Sequence, residues 1–350
     1  MKKRLKKWLI IFGVGWLCVM LIAAATLLFA RYYFSDLLAK PDLESLLNYR
    51  PPATTIVYDE NWEELGGFAK ENRIVLPLSE MGDLIPKIFL VAEDKRFFVA
   101  EPEGNFCGLA RWSLEKFHVS LDPCSLYRSV KRNLKEGRPA EGASTISQQL
   151  ADIGIIQGSD IEQKIVSASL WRKKIRKAVI AYYIEKTLPK EKILELWLNH
   201  MYLGNGNFGV EAASQWYWQK SAQGLNMPEA ALIAGLVRSP GHSPFNEGMR
   251  EKTKELRNRV LRQLYDDGVI NDEKFKEYSE SPLPQNSPQE NYRFPNSHIL
   301  EYVRQQLKFR YDEDEVWMGG LKIQLTINKH LQEFAETAMK EAIAEYHKRH

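Results

Sequence analysis

Residues 190–213 read KEKILELWLNHMYLGNGNFGVEAA. In KEKILELWL (190–198) the apolar residues recur at helical spacing, which predicts a helix with one apolar face. The glycines that follow invite a nucleotide-loop reading. GNGNFG does not follow a predicted strand, however, so a phosphate loop is a poor match. Working outward, the pattern is mostly helical from Ile85 to about Tyr278, and the expected fold class is mainly α. Pro228-Glu229 ahead of AALIAGL has the proline and acid of a helix start. On the N-terminal side, residues 54–77 read as one or two strands with a Gly-Gly turn. On the C-terminal side, residues 281–297 are Pro- and Asn-rich, a linker signal. A helix over 298–310, a turn and strand in GGLKIQLTI, and a last helix from Lys329 onward complete the pattern, and no internal repeat is visible.

The chain has 350 residues, 44% hydrophobic and 27% charged, with 3 Cys, which excludes collagen, a long disordered chain and a disulfide-stapled mini-protein. The net charge of +3 describes no single surface. Residues 1–31 carry Lys2, Lys3, Arg4, Lys6, Lys7 and Arg31 and no acid, so the remaining residues sum to −3. Between those cations, residues 8–30 contain no charge. A helix of that length spans roughly 34 Å, enough for a bilayer core. The basic flank predicts a cytoplasmic N-terminus, with everything after Arg31 outside the cytoplasmic membrane. A cleaved signal peptide is the rival reading. Its apolar region would end after about 7–15 residues, and here apolar sequence continues past Ala23–Ala25, which favours an uncleaved anchor. Cys107 and Cys124 would then share an oxidising compartment, and their spacing leaves pairing and two free thiols equally open.

Four polar clusters lie between Glu93 and Ala213. Glu93-Asp94-Lys95-Arg96-Phe97-Phe98 sets carboxylates beside cations and aromatics, as a tuned general base needs, and also suits a solvated helix end. Glu141 to Gln149 combines small residues with hydroxyls and paired amides, neutral hydrogen-bonding groups suited to sugars or phosphates. Arg172, Lys173, Lys174, Arg176 and Lys177 form a cationic run that fits a solvated face, a nucleic acid, a diphosphate or an anionic lipid. Trp197 to Ala213 is the glycine-rich segment already quoted.

In this order, together with EAALIAGLVRSPGHSPFN (229–246), the clusters resemble the five motifs of glycosyltransferase family 51, the peptidoglycan glycosyltransferase domain of class A penicillin-binding proteins. The resemblance runs from about Thr55 to the end of the chain. It implies a lysozyme-like, mostly helical fold with a small membrane-proximal jaw, acting on lipid II. Glu93 matches the general base, framed by Asp94, Arg96 and Phe97. Ser144, Thr145, Gln148 and Gln149 match the second motif. Lys173, Lys174, Arg176 and Lys177 match the third, where cations would meet the leaving diphosphate. Asn199, Tyr202, Gly204, Gly206 and Gly209 match the fourth. The implied partners are lipid II, the nascent glycan strand, the cytoplasmic membrane and cell-wall synthesis proteins, with no nucleic acid. No tightly bound cofactor is implied, with room left for a divalent cation (Mg or Mn).

Three departures stand out. The first motif normally continues to a histidine and an aspartate, and the best match is His118 and Asp122, which implies an insertion at 99–116. The third motif normally ends in glutamate, where this chain has Lys177. A basic residue usual three positions after the Gln-Gln pair is Asp152 here. The two look like a charge swap, and an ion pair between them is expected. Finally, the only Ser-x-x-Lys is Ser113–Lys116, without the later transpeptidase elements, so no penicillin-reactive serine is expected. The expected organisation is a basic tail (1–7), a transmembrane anchor (8–30), a stalk (31–53), a glycosyltransferase domain (54–280), and a linker with the truncated start of a transpeptidase-type module (281–350). An active inverting glycosyltransferase is favoured over a membrane-anchored lipid II-binding scaffold and over a lysozyme-like hydrolase.

Overall fold

The computed structural model describes scattered positions between residues 15 and 41, then 51–95, 97–98, 144–156, 170–285 and 298–349. Most of the expected anchor, the insertion at 99–116, Arg96, Cys107, His118, Asp122 and Cys124 lie outside the described residues. Within 8–30, the described positions 15–18, 20, 21, 25, 26 and 29 are helical and exposed. Among the described residues, no helix is long and apolar enough to cross a membrane.

The elements in chain order are β1 (Thr55–Tyr58), β2 (Glu64–Phe68), β3 (Asn72–Arg73), α1 (Leu84–Glu93), α2 (Ile146–Ile156), α3 (Leu170–Thr187), α4 (Lys190–His200), β4 (Asn207–Phe208), α5 (Val210–Trp218), α6 (Met227–Leu236), α7 (Arg250–Asp266), α8 (Asp272–Glu280), α9 (His298–Leu307), α10 (Glu313–Met318), β5 (Lys322–Gln324) and α11 (Lys329–Arg349). The structure is mainly helical, as the periodicity predicts. It divides into two compact units, residues 1–48 with 101–188, and residues 49–100 with 189–350.

The larger unit is built around α6. Asn226 caps it by accepting from the Glu229 backbone N–H, while Glu229 returns a bond to the Asn226 N–H, a full capping box with Pro228 in the first turn. Its residues Ala230 to Leu236 are all buried, so it is a core helix rather than an amphipathic one. Small residues let α7 approach closely: a side chain at Gly235 would meet the Leu256 carbonyl oxygen at 3.0 Å. Ile85, Ile88, Phe89 and Ala92 line the buried face of α1. Phe89 meets Trp197 of α4 edge-to-face at 5.9 Å. Each large apolar side chain buried in this way contributes about 1.5–3 kcal/mol.

At one end of this unit β1 pairs antiparallel with β2 and parallel with β5, in the order β2-β1-β5. Val57, Phe68, Leu300, Val303 and Val316 close a small core beneath the sheet. Residues of α9, α10 and β5 thus pack on β1 and β2. Both edges of β1 need partners, and β2 supplies only one. The Gly-Gly pair also differs from expectation. Gly66 and Gly67 lie inside β2, and the turn is Asp59 to Glu63, closed by the Asp59 carboxylate accepting from the Asn61 and Glu63 N–H groups.

In the smaller unit α2 packs on α3, burying Ile146, Leu150 and Ala151 on one side and Ala178, Val179, Ala181 and Ile184 on the other. Leu37 is buried as well.

Candidate active site

Glu93 is the last residue of α1. Its side chain is only 5% exposed. A helix C-terminus leaves carbonyls without intrahelical donors and carries partial negative charge, so a carboxylate there is doubly disfavoured. Arg238, just past α6, answers both problems. Its Nε donates to Glu93 Oε1 at 2.7 Å and its Nη2 to the Ala92 carbonyl at 2.8 Å. Arg238 is the partner of Glu93 that sequence reasoning passed over. The available signal was its position as the first charge after the uncharged run Ala230 to Val237.

The residues after Glu93 turn sharply. The Asp94 N–H caps Leu90 and the Phe97 N–H donates to the Asp94 carbonyl. Phe97 is buried, with the Lys190 ammonium 4.4 Å from its ring centroid. Phe98 stands edge-on to it and is exposed.

The fourth cluster forms a compact loop between α4 and α5. Asn199 is buried, and its amide ties the preceding segment to the helix. Oδ1 accepts from the Leu76 N–H, and Nδ2 donates to the Leu76 and Glu195 carbonyls. The amide thus serves the backbone. Gly204, Gly206 and Gly209 have φ of 89°, 76° and 81°. A side chain at Gly204 would collide with the Pro240 carbonyl, and one at Gly209 would meet the Asn199 carbonyl oxygen at 2.6 Å. These two glycines are therefore required by close backbone approach, while Gly206 has open space around it. Tyr202 is exposed and tilts against Phe208 at 5.0 Å.

Behind the loop, Tyr217 donates to the Leu203 carbonyl and accepts from Asn205 Nδ2. Burial pushes its phenol well above the usual range. His200 is held down to about 3, first by burial and then by Arg73. Arg73 Nη1 lies 3.3 Å from His200 Nδ1. Arginine only donates, so Nδ1 is the acceptor and the ring proton sits on Nε2. Glu211 is buried and accepts from the Ala222 N–H at 2.7 Å, the Ser221 hydroxyl and the Gln215 amide.

The other candidate residues belong to the smaller unit. Thr145 caps α2, its hydroxyl accepting from the Gln148 N–H at 3.2 Å, with Ser144 exposed beside it. Gln148 is buried and Gln149 half-buried. On α3, Lys174 is exposed and Arg172 and Lys173 are half-exposed. Arg176 departs from the expected cationic face. It is 1% exposed, and its Nη1 donates to the Leu37 and Ala39 carbonyls at 3.1 and 2.5 Å. Helical geometry turns position 176 toward the buried side, where a guanidinium must find acceptors. Lys177 pairs with the Asp152 carboxylate, as the charge swap predicts. Among the described residues, no group of three His, Cys, Asp or Glu side chains is arranged to hold a metal ion.

Comparison with known proteins adds the lineage. A family model described as transglycosylase matches residues 60–265. Penicillin-binding protein 1A of Aquifex aeolicus (strain VF5) is 30% identical over 305 residues, covering 87% of this chain and 38% of the relative. The protein of the same name from Escherichia coli (strain K12) is 29% identical over 334 residues, covering 95% of this chain and 35% of the relative. The crystal structure of penicillin-binding protein 1A from Haemophilus influenzae aligns with a TM-score of 0.39 at 19% identity, over 79% of this chain and 27% of that one. The chain thus spans less than two fifths of the length of these curated relatives. The transglycosylase match extends over more than half of the sequence, and the chain belongs to the transglycosylase family, glycosyltransferase family 51.

Proposed function

We propose that this chain is a peptidoglycan glycosyltransferase that polymerises lipid II into glycan strands. The observation that carries the reading is Glu93, a nearly buried carboxylate held by a guanidinium at the position of the family's general base. In the proposed reaction Glu93 takes the proton of the acceptor's C4 hydroxyl. The freed oxygen pair forms the new bond to the donor's anomeric carbon, and the anomeric bond to the diphosphate breaks with its electron pair leaving on the polyprenyl diphosphate. Attack opposite the leaving group inverts the anomeric centre. Cations stabilise the leaving charge, a role that fits Lys173 and Lys174 on α3. A lipid-borne substrate fits the expected anchor at 8–30, a lysozyme-like domain with a membrane-proximal jaw, and action on the outer face of the cytoplasmic membrane, beside other cell-wall synthesis proteins.

The Asp152–Lys177 pair supports an enzyme over a non-catalytic scaffold, because the exchange leaves the local charge sum as the family has it. The proposal concerns the glycosyltransferase reaction alone. The test is polymerisation of lipid II by the purified chain, with Mg or Mn supplied. Glycan strands from the wild type, reduced about 10²–10⁴-fold by Glu93→Gln, are expected. A wild type that makes no strands under either metal overturns the proposal.

A further inference from the structure

We infer that Arg238 is the positioning residue of this active site: it acts through Glu93, holding the base carboxylate in one orientation at the end of α1. The inference rests on the glycosyltransferase reading, which assigns the base but says nothing of what holds it.

Three observations carry it. First, the contact is a fork, with one donor on the carboxylate and another on the neighbouring carbonyl of Ala92. A single ion pair would let the carboxylate rotate about the contact, whereas two donors from one rigid plane fix the guanidinium against α1 itself. Second, Arg238 is delivered by a rigid element. It lies two residues beyond α6, whose start is fixed by the capping box and whose body is buried on all sides. Third, one side of the surroundings is apolar. Ala234, Gly235, Leu256 and Val260 line the same crevice as Glu93 and Arg238, with Arg259 and Gln263 completing it, and a charge pair against apolar side chains is screened less than one in water.

The physical consequence follows from geometry. A carboxylate offers about four acceptor positions, so binding Arg238 does not prevent it from receiving a proton. A nearly buried carboxylate stripped of its cation is relieved by turning toward water. That turn moves the base away from the acceptor hydroxyl, and displacement by about 1 Å can lower turnover about 10²-fold.

The test compares Arg238→Gln and Arg238→Lys with the wild type in two assays on the full chain. In lipid II polymerisation, Arg238→Gln is expected to lower kcat about 10²-fold with KM within about twofold, and Arg238→Lys to fall between it and the wild type. An unchanged kcat, or a raised KM with kcat intact, overturns the inference, the latter because it makes Arg238 a substrate-binding group. The second assay is independent of turnover: Glu93 is modified with a water-soluble carbodiimide and an amine, and labelling is read by peptide mass. Faster labelling in Arg238→Gln than in the wild type is expected, with unchanged labelling at Glu277, an exposed control. Equal labelling of Glu93 in both proteins overturns the inference even where the wild type polymerises lipid II normally. A wild type without polymerase activity defeats the glycosyltransferase reading instead, and the labelling result still decides whether Arg238 holds Glu93.

Discussion

Lys177 of α3 and Asp152 of α2 form an ion pair across the interface of the two helices. Their side chains are 32% and 46% exposed, so the pair is worth about 0.2–1 kcal/mol in stability. Its importance lies in charge placement. Reversing Lys177 alone sets two carboxylates together, and reversing Asp152 alone sets two cations together. Each single reversal, Asp152→Lys or Lys177→Glu, should lower polymerase activity more than the double exchange does, and the double variant should recover toward wild type. Activities that combine multiplicatively across the four proteins would show that the two positions act independently.

His200 makes stability pH-dependent. In the folded protein its value is about 3, against 6.5 for an ordinary histidine. Between those values only the unfolded chain carries the extra proton. Stability is therefore complete above about pH 6.5 and is lost progressively as pH falls toward about 3. Urea midpoints at about pH 7.5 and about pH 5 should differ less in His200→Gln than in the wild type. An identical difference in both would remove His200 as a source of acid sensitivity.

The three glycines of the α4–α5 loop should respond differently to alanine. All three have positive φ, which costs a non-glycine residue about 1–2 kcal/mol. Gly206 has no neighbour within 4 Å of a new side chain, so Gly206→Ala should cost only that. Gly204→Ala and Gly209→Ala add collisions with the Pro240 and Asn199 carbonyls, and each should lose at least about 3 kcal/mol or fail to fold. Equal losses at all three positions in chemical denaturation would contradict the packing described for this loop.

Legibility in the sequence followed distance along the chain. The helix α4 and the start of α6 were readable because their signals, a 3.6-residue periodicity and a Pro-Glu first turn, act within one or two turns. The Asp152–Lys177 pair was readable for a different reason: two opposite departures from one family pattern point at each other. By contrast, the Gly-Gly pair reads locally as a turn, while the Asp59 carboxylate, not glycine, closes the hairpin. Arg176 reads locally as one cation of a charged run, because its burial depends on carbonyls of residues 37 and 39, far away in sequence.

By itself the sequence determined the helical class, the order of the motifs and the family. Those properties are written in residue types and short spacings, which need no knowledge of what packs against what. Only the tertiary structure decided which cation meets Glu93, a partner 145 residues away, and that β5 completes the sheet begun by β1. Contacts of that span are selected by complementary buried surfaces and by the need to satisfy every buried polar group. Many arrangements of the same elements satisfy the local pattern, and only the packed chain chooses among them.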